Sequence, residues 1–317
     1  MFRSYQLIWN NLNAVCITND LSQDRMVICP AYGASLLELV IGGETLILVD
    51  DLFPANYRFQ SAILAPFPNK IRKGIYSFDG KDYQLSTNDA SKKNAAHGLL
   101  YNKKFTVESL ICDTENGKIS LGYIYDNEDM GYPFKFELIV TFHLQWNRGI
   151  TVSFQVTNLS DQLIPYGLGY HPYFQLGCTL SKIRLTIPDC EKIDFDPDNF
   201  PTGHSTGWND FSSGKSIGSD LFNNCFRVKE TGTPFNIILQ RENLFPVIKF
   251  WFETGTNKFN FFQLYTLHNA NEIAIEPMTC VPDAFNNKFG LIYLEAGKIF
   301  STKFGICIEN PVVESES

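Results

Sequence analysis

Three segments of this chain carry side chains whose types and setting suit proton transfer to a small ligand. In Tyr170-His171-Pro172-Tyr173-Phe174, an imidazole is held between a rigid proline and aromatic rings. This segment follows Pro165-Tyr166-Gly167-Leu168-Gly169, where glycine frees the backbone before proline stiffens it again. A histidine placed this way can be aimed at a ligand, and its aromatic neighbours suit a molecule with apolar C–H faces and polar edges, as a sugar ring has. In the second segment, His97-Gly98, the glycine lets a ligand or another stretch of chain come close. In the third, Glu272-Ile273-Ala274-Ile275-Glu276-Pro277, polar and apolar residues alternate as in a strand. That strand is expected to stop at Pro277, leaving Glu276 at a strand end supported by a rigid sheet. Each group also has a plain structural reading: a turn histidine satisfied by backbone, a surface loop histidine, and a glutamate hydrogen-bonded near a turn.

The elements that must position these groups read as strands. The chain has 317 residues, long for one ordinary domain, yet large all-β folds reach this length as single units, and residues 1–317 are read as one domain. With 27 Phe and 14 Tyr, its composition favours pleated surfaces, on which flat side chains pack well. The clearest element runs from Phe134 to Trp146, where Phe136, Leu138, Val140, Phe142 and Leu144 alternate with more polar residues. The Asn147-Arg148-Gly149 turn should pair it with 150–158, and His143, on the polar face, reads as structural. Hairpins are expected around Gly42-Gly43 and Asp79-Gly80. The region between and beyond, through Pro66-Phe67-Pro68-Asn69-Lys70-Ile71-Arg72-Lys73-Gly74, is irregular, and irregular backbone inside a compact fold often carries function. Asp194 to Ser219, rich in Gly, Ser, Asp, Asn and Pro, reads as an exposed connection with His204 facing solvent.

Composition also narrows the function classes. A formal net charge of −8 argues against a nucleic-acid partner, because phosphate backbones are held by clustered Lys and Arg. The eight cysteines are scattered without a C-x-x-C pair and read as small apolar residues of a reducing compartment. The start lacks the apolar core of a signal peptide, and no apolar run is long enough to span a bilayer; a cytoplasmic location and no membrane partner are expected. No phosphate loop, zinc-binding H-E-x-x-H or G-x-S-x-G elbow is present, so neither a cofactor nor a metal is expected.

Four short segments, Asn69-Lys70-Ile71-Arg72-Lys73-Gly74, Asn94-Ala95-Ala96-His97-Gly98, Gly169-Tyr170-His171-Pro172-Tyr173-Phe174 and Ile275-Glu276-Pro277, occur in the order and approximate spacing of the aldose 1-epimerase (galactose mutarotase) family. The chain resembles that family over nearly its whole length. The resemblance implies an all-β fold, a large antiparallel β-sandwich with a sugar bound in a groove on one sheet. It implies that Glu276 is the base that removes the anomeric hydroxyl proton and His171 the acid that protonates the ring oxygen. The hemiacetal then opens to an aldehyde, which turns about C1–C2 and recloses with the roles reversed. It further implies that His97 holds the ring oxygen or a neighbouring hydroxyl and that Arg72 binds sugar hydroxyls. For this chemistry Glu276 is expected to rest ionised and His171 protonated, each stabilising the other.

One departure is visible. Where the family usually carries a sugar-binding aspartate closely followed by an aromatic residue, this chain has Asp220-Leu221-Phe222-Asn223-Asn224-Cys225-Phe226. Asn223 matches best by its spacing to Phe226, with Asp220 three residues earlier. An amide both donates and accepts, whereas a carboxylate only accepts, so substrate preference is affected more than the reaction. Gln263 and Tyr265, in an aromatic strand, are further groove candidates. Three readings follow: an epimerase of a free hexose such as glucose or galactose, an epimerase of a phosphorylated or modified hexose, or a non-catalytic sugar-binding module. The second draws on Lys70, Arg72, Lys73, Lys92, Lys93, Lys103 and Lys104, which could meet an anion but are the kind of charges that usually form a solvated face.

Overall fold

The alternation read at 134–146 is realised as strand Lys135–Gln145, in which every second residue from Phe136 to Leu144 is buried. It pairs in antiparallel register with Gly149–Asn158, as its turn requires. This is a computed structural model of the chain, and it describes residues 1–50, 52–54, 58–91, 93–241, 247–266 and 271–309. Among the described residues these two strands belong to a nine-stranded sheet, in which Gly149–Asn158 is followed by Ile299–Glu309, Val247–Phe252 and Phe235–Arg241. Its outer strands Thr106–Cys112 and Asn116–Asp126 carry glycine and exposed apolar residues, and their pattern is too mixed to announce a strand in the sequence.

A second, eight-stranded sheet packs across the first. Its order is Pro201–Trp208, Cys190–Phe195, Asn223–Val228, Phe261–Thr266, Glu272–Met278, Gly169–Tyr170 and Ile63–Leu64, with Tyr173–Gln175 also paired to Glu272–Met278. The two sheets meet through aromatic side chains: Tyr170 against Phe304 at 4.9 Å between ring centroids, Phe174 against Phe250 at 5.2 Å, and Phe252 against Phe262 at 6.1 Å. Such rings supply large apolar areas and, in offset or edge contacts, roughly 0.5–1.5 kcal/mol per pair beyond area burial. One buried apolar cluster runs through both sheets and takes in residues from Phe2 to Ile306. The fold is an all-β antiparallel sandwich. A five-stranded N-terminal sheet, from Arg3–Trp9 to Glu44–Leu48, adds to it.

Two readings of the sequence are corrected here. Asp194 to Ser219 is not a structureless connection: Cys190–Phe195 and Pro201–Trp208 form the edge hairpin of the second sheet. Residues from Thr202 to Gly207 are exposed, so an edge strand with little to bury reads as a loop. The strand carrying Glu276 does not stop at Pro277 but runs to Met278. Ile275 and Thr279 donate their N–H groups to the carbonyls of Pro172 and Leu168, so the nitrogen of the intervening Pro277 faces the same side. There the neighbouring strand is broken at His171, and no ladder partner is owed an N–H.

The eight cysteines are all free, with Cys16, Cys29, Cys190, Cys225 and Cys280 buried. Among the described residues no helix is long and apolar enough to cross a membrane. His143 Nε2 donates to Asn116 Oδ1 at 2.9 Å within the first sheet.

Candidate active site

Period-two geometry sorts the second sheet into two faces. On Glu272–Met278, Ile273 and Ile275 enter the main core, while Ala274, Glu276 and Met278 point the other way. On Phe261–Thr266, Phe262 and Leu264 are core, so Gln263 and Tyr265 share the outer face. The register places Gln263 opposite Glu276 and Tyr265 opposite Ala274, and on the next strand Asn223 opposite Tyr265. Tyr173 completes the row opposite Ala274. Pairing alone thus gathers Glu276, Gln263, Tyr265, Asn223 and Tyr173 on one patch.

His171 reaches this patch because the strand beside Glu276 is interrupted. Gly169–Tyr170 and Tyr173–Gln175 both pair with Glu272–Met278, and His171-Pro172 lies in the gap. The backbone there is held by the Ser61 N–H donating to the His171 carbonyl at 2.8 Å and the His171 N–H donating to the Ala62 carbonyl at 3.1 Å. The imidazole stacks on Tyr173, with centroids 5.0 Å apart and planes 16° from parallel. Its Nε2 lies 3.4 Å from Glu276 Oε1.

His97 arrives from the loop side. Strand Ala95–Ala96 pairs with Lys70–Ile71, and the His97 N–H donates to the Asn69 carbonyl at 2.7 Å. Both His97, at φ 60°, and Gly98, at φ 75°, take the left-handed backbone that turns the imidazole inward. At Gly98 a Cβ would stand 2.2 Å from the Ala65 carbonyl oxygen, so only glycine fits. The His97 ring lies 5.3 Å from that of His171 and 4.5 Å from that of Phe59, itself at φ 57°. Non-glycine residues held at positive φ concentrate where a site over-determines its backbone.

Together these groups line a cavity of about 410 Å³ with Arg58, Phe59, Asn69, Lys70, Ala90, Phe195 and Asn199. The volume falls within the range of small-molecule sites, about 300–1,000 Å³. Of the residues singled out in the sequence, His97, His171, Asn223, Gln263, Tyr265 and Glu276 are brought together here. Arg72 and Asp220 are not among the lining residues. The guanidinium of Arg72 is engaged by Asp196 at 2.5 Å and Asp198 at 3.3 Å, and lies 4.0 Å from the centre of the Phe200 ring. Asp220 is exposed and faces Lys215 at 3.6 Å. The cavity's cations are instead Lys70, two residues before Arg72, and Arg58, whose Nη2 donates to Glu272 at 2.6 Å and whose guanidinium lies 5.4 Å from the Tyr173 ring centre. Arg58, Phe59, Phe195 and Asn199 also line the cavity, and no periodic signal in the sequence marks them.

Burial dominates the electrostatics. Glu276 and His171 are 2% and 4% exposed, so each charged form loses most of its hydration. Burial holds the Glu276 carboxyl well above the usual carboxylate range. It holds the His171 imidazole well below its usual range, with the nearby His97 and the Arg58 cation acting the same way. Burial and the charge of Lys70 likewise lower His97. Without a sugar in place, burial favours a neutral carboxyl beside a neutral imidazole; the expected state with sugar bound is ionised Glu276 beside protonated His171. Both allocations hold one proton between two groups 3.4 Å apart. The pair can give one proton and accept another.

Further polar atoms are buried without a partner among the described residues: His97 Nδ1, His171 Nδ1, Gln263 Oε1 and Glu276 Oε2. Gln263 Nε2 donates to Asn223 Oδ1 at 3.1 Å, which leaves its Oε1 as an acceptor. Buried polar groups are normally hydrogen-bonded, and a ligand rich in hydroxyls is one that could satisfy donors and acceptors so mixed. Among the described residues no group of three His, Cys, Asp or Glu side chains converges to hold a metal.

Comparison with known proteins bears on the same ground. A sequence profile of the family described as Aldose 1-epimerase matches residues 14–307. The chain is 28% identical over 285 residues to YihR, an uncharacterized protein of Escherichia coli, covering 86% of this chain and 87% of that one. Its fold is similar to that of a galactose mutarotase-like protein from Clostridium acetobutylicum, with a TM-score of 0.86 at 20% identity over 98% of this chain and 99% of the other. It is also similar to galactose 1-epimerase from Lactobacillus acidophilus, with a TM-score of 0.76 at 17% identity over 98% of each chain.

Proposed function

The chain belongs to the aldose 1-epimerase family, and from that premise we propose that it interconverts the α and β anomers of a hexose by acid/base ring opening. The observation that carries this reading is the approach of His171 Nε2 to Glu276 Oε1, 3.4 Å, in a cavity otherwise lined by hydroxyl-binding side chains and aromatic rings. The anomeric hydroxyl and the ring oxygen are attached to the same carbon, so two adjacent proton-transfer groups can address both at once.

In the forward direction Glu276 takes the anomeric hydroxyl proton while His171 gives one to the ring oxygen. The C1–O5 bond breaks as the C1 carbonyl forms. After rotation about C1–C2 the O5 hydroxyl adds to the other face of the aldehyde, returning its proton to His171 as Glu276 protonates the new anomeric oxygen. The resting proton must first pass from carboxyl to imidazole. Sugar hydroxyls donating to Glu276 favour that shift, because hydrogen bonds to a carboxylate stabilise its charged form. Each positioned acid or base is worth on the order of 10²–10⁴-fold in rate. Gln263, Asn223 and His97 supply donors and acceptors for the remaining hydroxyls, and Tyr173, Tyr265 and Phe59 supply apolar surface for the C–H faces. A purely sugar-binding role is less well supported, since binding has no need of a carboxyl and an imidazole sharing one buried proton.

The reading is tested by dissolving α-glucose or α-galactose and following the approach to anomeric equilibrium by polarimetry or NMR. Acceleration proportional to protein concentration is expected; binding without acceleration would favour the non-catalytic reading.

A further inference from the structure

The charges lining the cavity do not balance. Its cations are Arg58 and Lys70, and its one carboxylate among the lining residues is Glu276, which burial favours in the neutral form. Arg58 is matched by Glu272 at 2.6 Å. Lys70 has no carboxylate within 4.0 Å among the described residues; its register partner is Ala96, and the titratable group its charge reaches is His97, which burial holds neutral. Of the other basic residues read from the sequence as possible anion contacts, Arg72 and Lys103 are engaged by Asp196 and Glu128, while Lys73, Lys93 and Lys104 do not line the cavity. Lys92 lies outside the described residues.

The order of groups along the cavity says where Lys70 falls on a bound ring. Glu276 adjoins His171, His171 adjoins His97, and Lys70, which lines the cavity with His97, is close enough for its charge to act on that imidazole. On the reading above, Glu276 faces the anomeric hydroxyl and His171 the ring oxygen. The next position past the ring oxygen is C5 and its exocyclic C6. We propose that Lys70 recognises an acidic group at that end of the sugar, so that the substrate class is a hexose bearing a phosphate or a carboxylate on C6. Asn69 and Asn199, which also line the cavity, offer amide donors to the remaining oxygens of such a group. An ammonium half open to solvent gains little from a neutral hydroxyl, whereas a charge-assisted hydrogen bond is about twice as strong. The net charge of −8 does not oppose this, since fields from distant exposed charges are screened within roughly 8–10 Å.

This inference rests on the mutarotase reading for its choice of C6, and its test separates the two. Anomer exchange would be measured by NMR for glucose, glucose 6-phosphate and glucuronate, with wild type, Lys70→Met and Lys70→Arg. In wild type, kcat/KM for at least one acidic sugar should exceed that for glucose by roughly tenfold or more. Lys70→Met should cut that ratio by roughly ten- to hundredfold, and Lys70→Arg should keep most of it. A preference for phosphate alone or carboxylate alone identifies the source of the charge. A wild-type ratio of one or less, or a ratio unchanged in Lys70→Met, overturns the proposal. In parallel, calorimetry with 1,5-anhydroglucitol and its 6-phosphate, which have no anomeric hydroxyl to react, reads the anion site by itself. Tighter, salt-sensitive binding of the phosphate that Lys70→Met abolishes supports the site even if no sugar is turned over, in which case the ring-opening reading falls alone. Equal binding of the two, with no kinetic preference for glucuronate, overturns the site.

Discussion

His171 Nε2 and Glu276 Oε1 stand 3.4 Å apart, Glu276 on a strand of the second sheet and His171 in the break between the two short strands that pair with it. A carboxyl and an imidazole this close titrate as a unit, and the active unit holds one proton. Adding a second proton ends activity on the acid side; removing the last one ends it on the alkaline side. Burial moves the acid limb below the ordinary imidazole range and the alkaline limb above the ordinary carboxylate range. The pH dependence of kcat/KM should therefore be a bell, broader than an unperturbed imidazole and carboxyl would give.

Arg58 supplies a further handle on that profile. Its cation disfavours the imidazolium of His171, so Arg58→Met should raise the His171 pKa and move the acid limb to higher pH. Arg58→Lys keeps the charge and should leave the limb near its wild-type position. Profiles of the three proteins decide this; an acid limb indifferent to Arg58→Met would show that some other group sets it.

The same burial has a signature in stability. Glu276 is neutral when folded at pH values where the unfolded chain has already ionised it, so the unfolded state binds fewer protons and stability falls as pH rises from the usual carboxylate range to the raised folded pKa. Glu276→Gln removes that linkage. The Tm of the variant relative to wild type should increase between pH 5 and pH 8, by an amount worth about 1 kcal/mol or more. A difference independent of pH would mean that the carboxyl is charged in the folded protein.

Gly98 fixes where His97 stands. Alanine there faces both a left-handed backbone and the Ala65 carbonyl oxygen, 2.2 Å from the new Cβ, whereas Gly80, at φ 71°, has nothing within 4 Å. Gly80→Ala should cost about 1–2 kcal/mol from the backbone alone. Gly98→Ala should exceed that by about 1–3 kcal/mol and lower kcat/KM as the imidazole shifts. Chemical denaturation and anomer-exchange rates measure both effects.

Much of this site was legible in the sequence, for reasons that differ by residue. Glu276, Gln263 and Tyr265 lie on strands whose two-residue period announces which side chains share a face. His171 is flagged by the Gly and Pro that break its strand. Pro277 misled because a proline normally ends pairing, and only the tertiary fact that the adjacent strand is itself interrupted removes the need for its N–H. Lys70 and Arg72 could not be told apart: they sit on a two-residue strand running into a single 3-10 turn, too short for a period to say which side chain faces inward. Arg58 and Phe59 come from an irregular segment where direction is set wholly by distant partners, Glu272 for the one and His97 for the other. Asp194 to Ser219 read as a loop because a strand exposed on both faces has no hydrophobic alternation to display.

The most direct test of the central claim is the rate of anomer exchange for the best sugar substrate in Glu276→Gln and His171→Asn, with folding of each variant checked by its thermal transition. Each variant should bind the sugar and lose on the order of 10²–10⁴-fold in kcat, and the double variant should lose little more than either alone, because one proton is handled by both groups. Near-wild-type exchange in either folded variant would contradict the central claim.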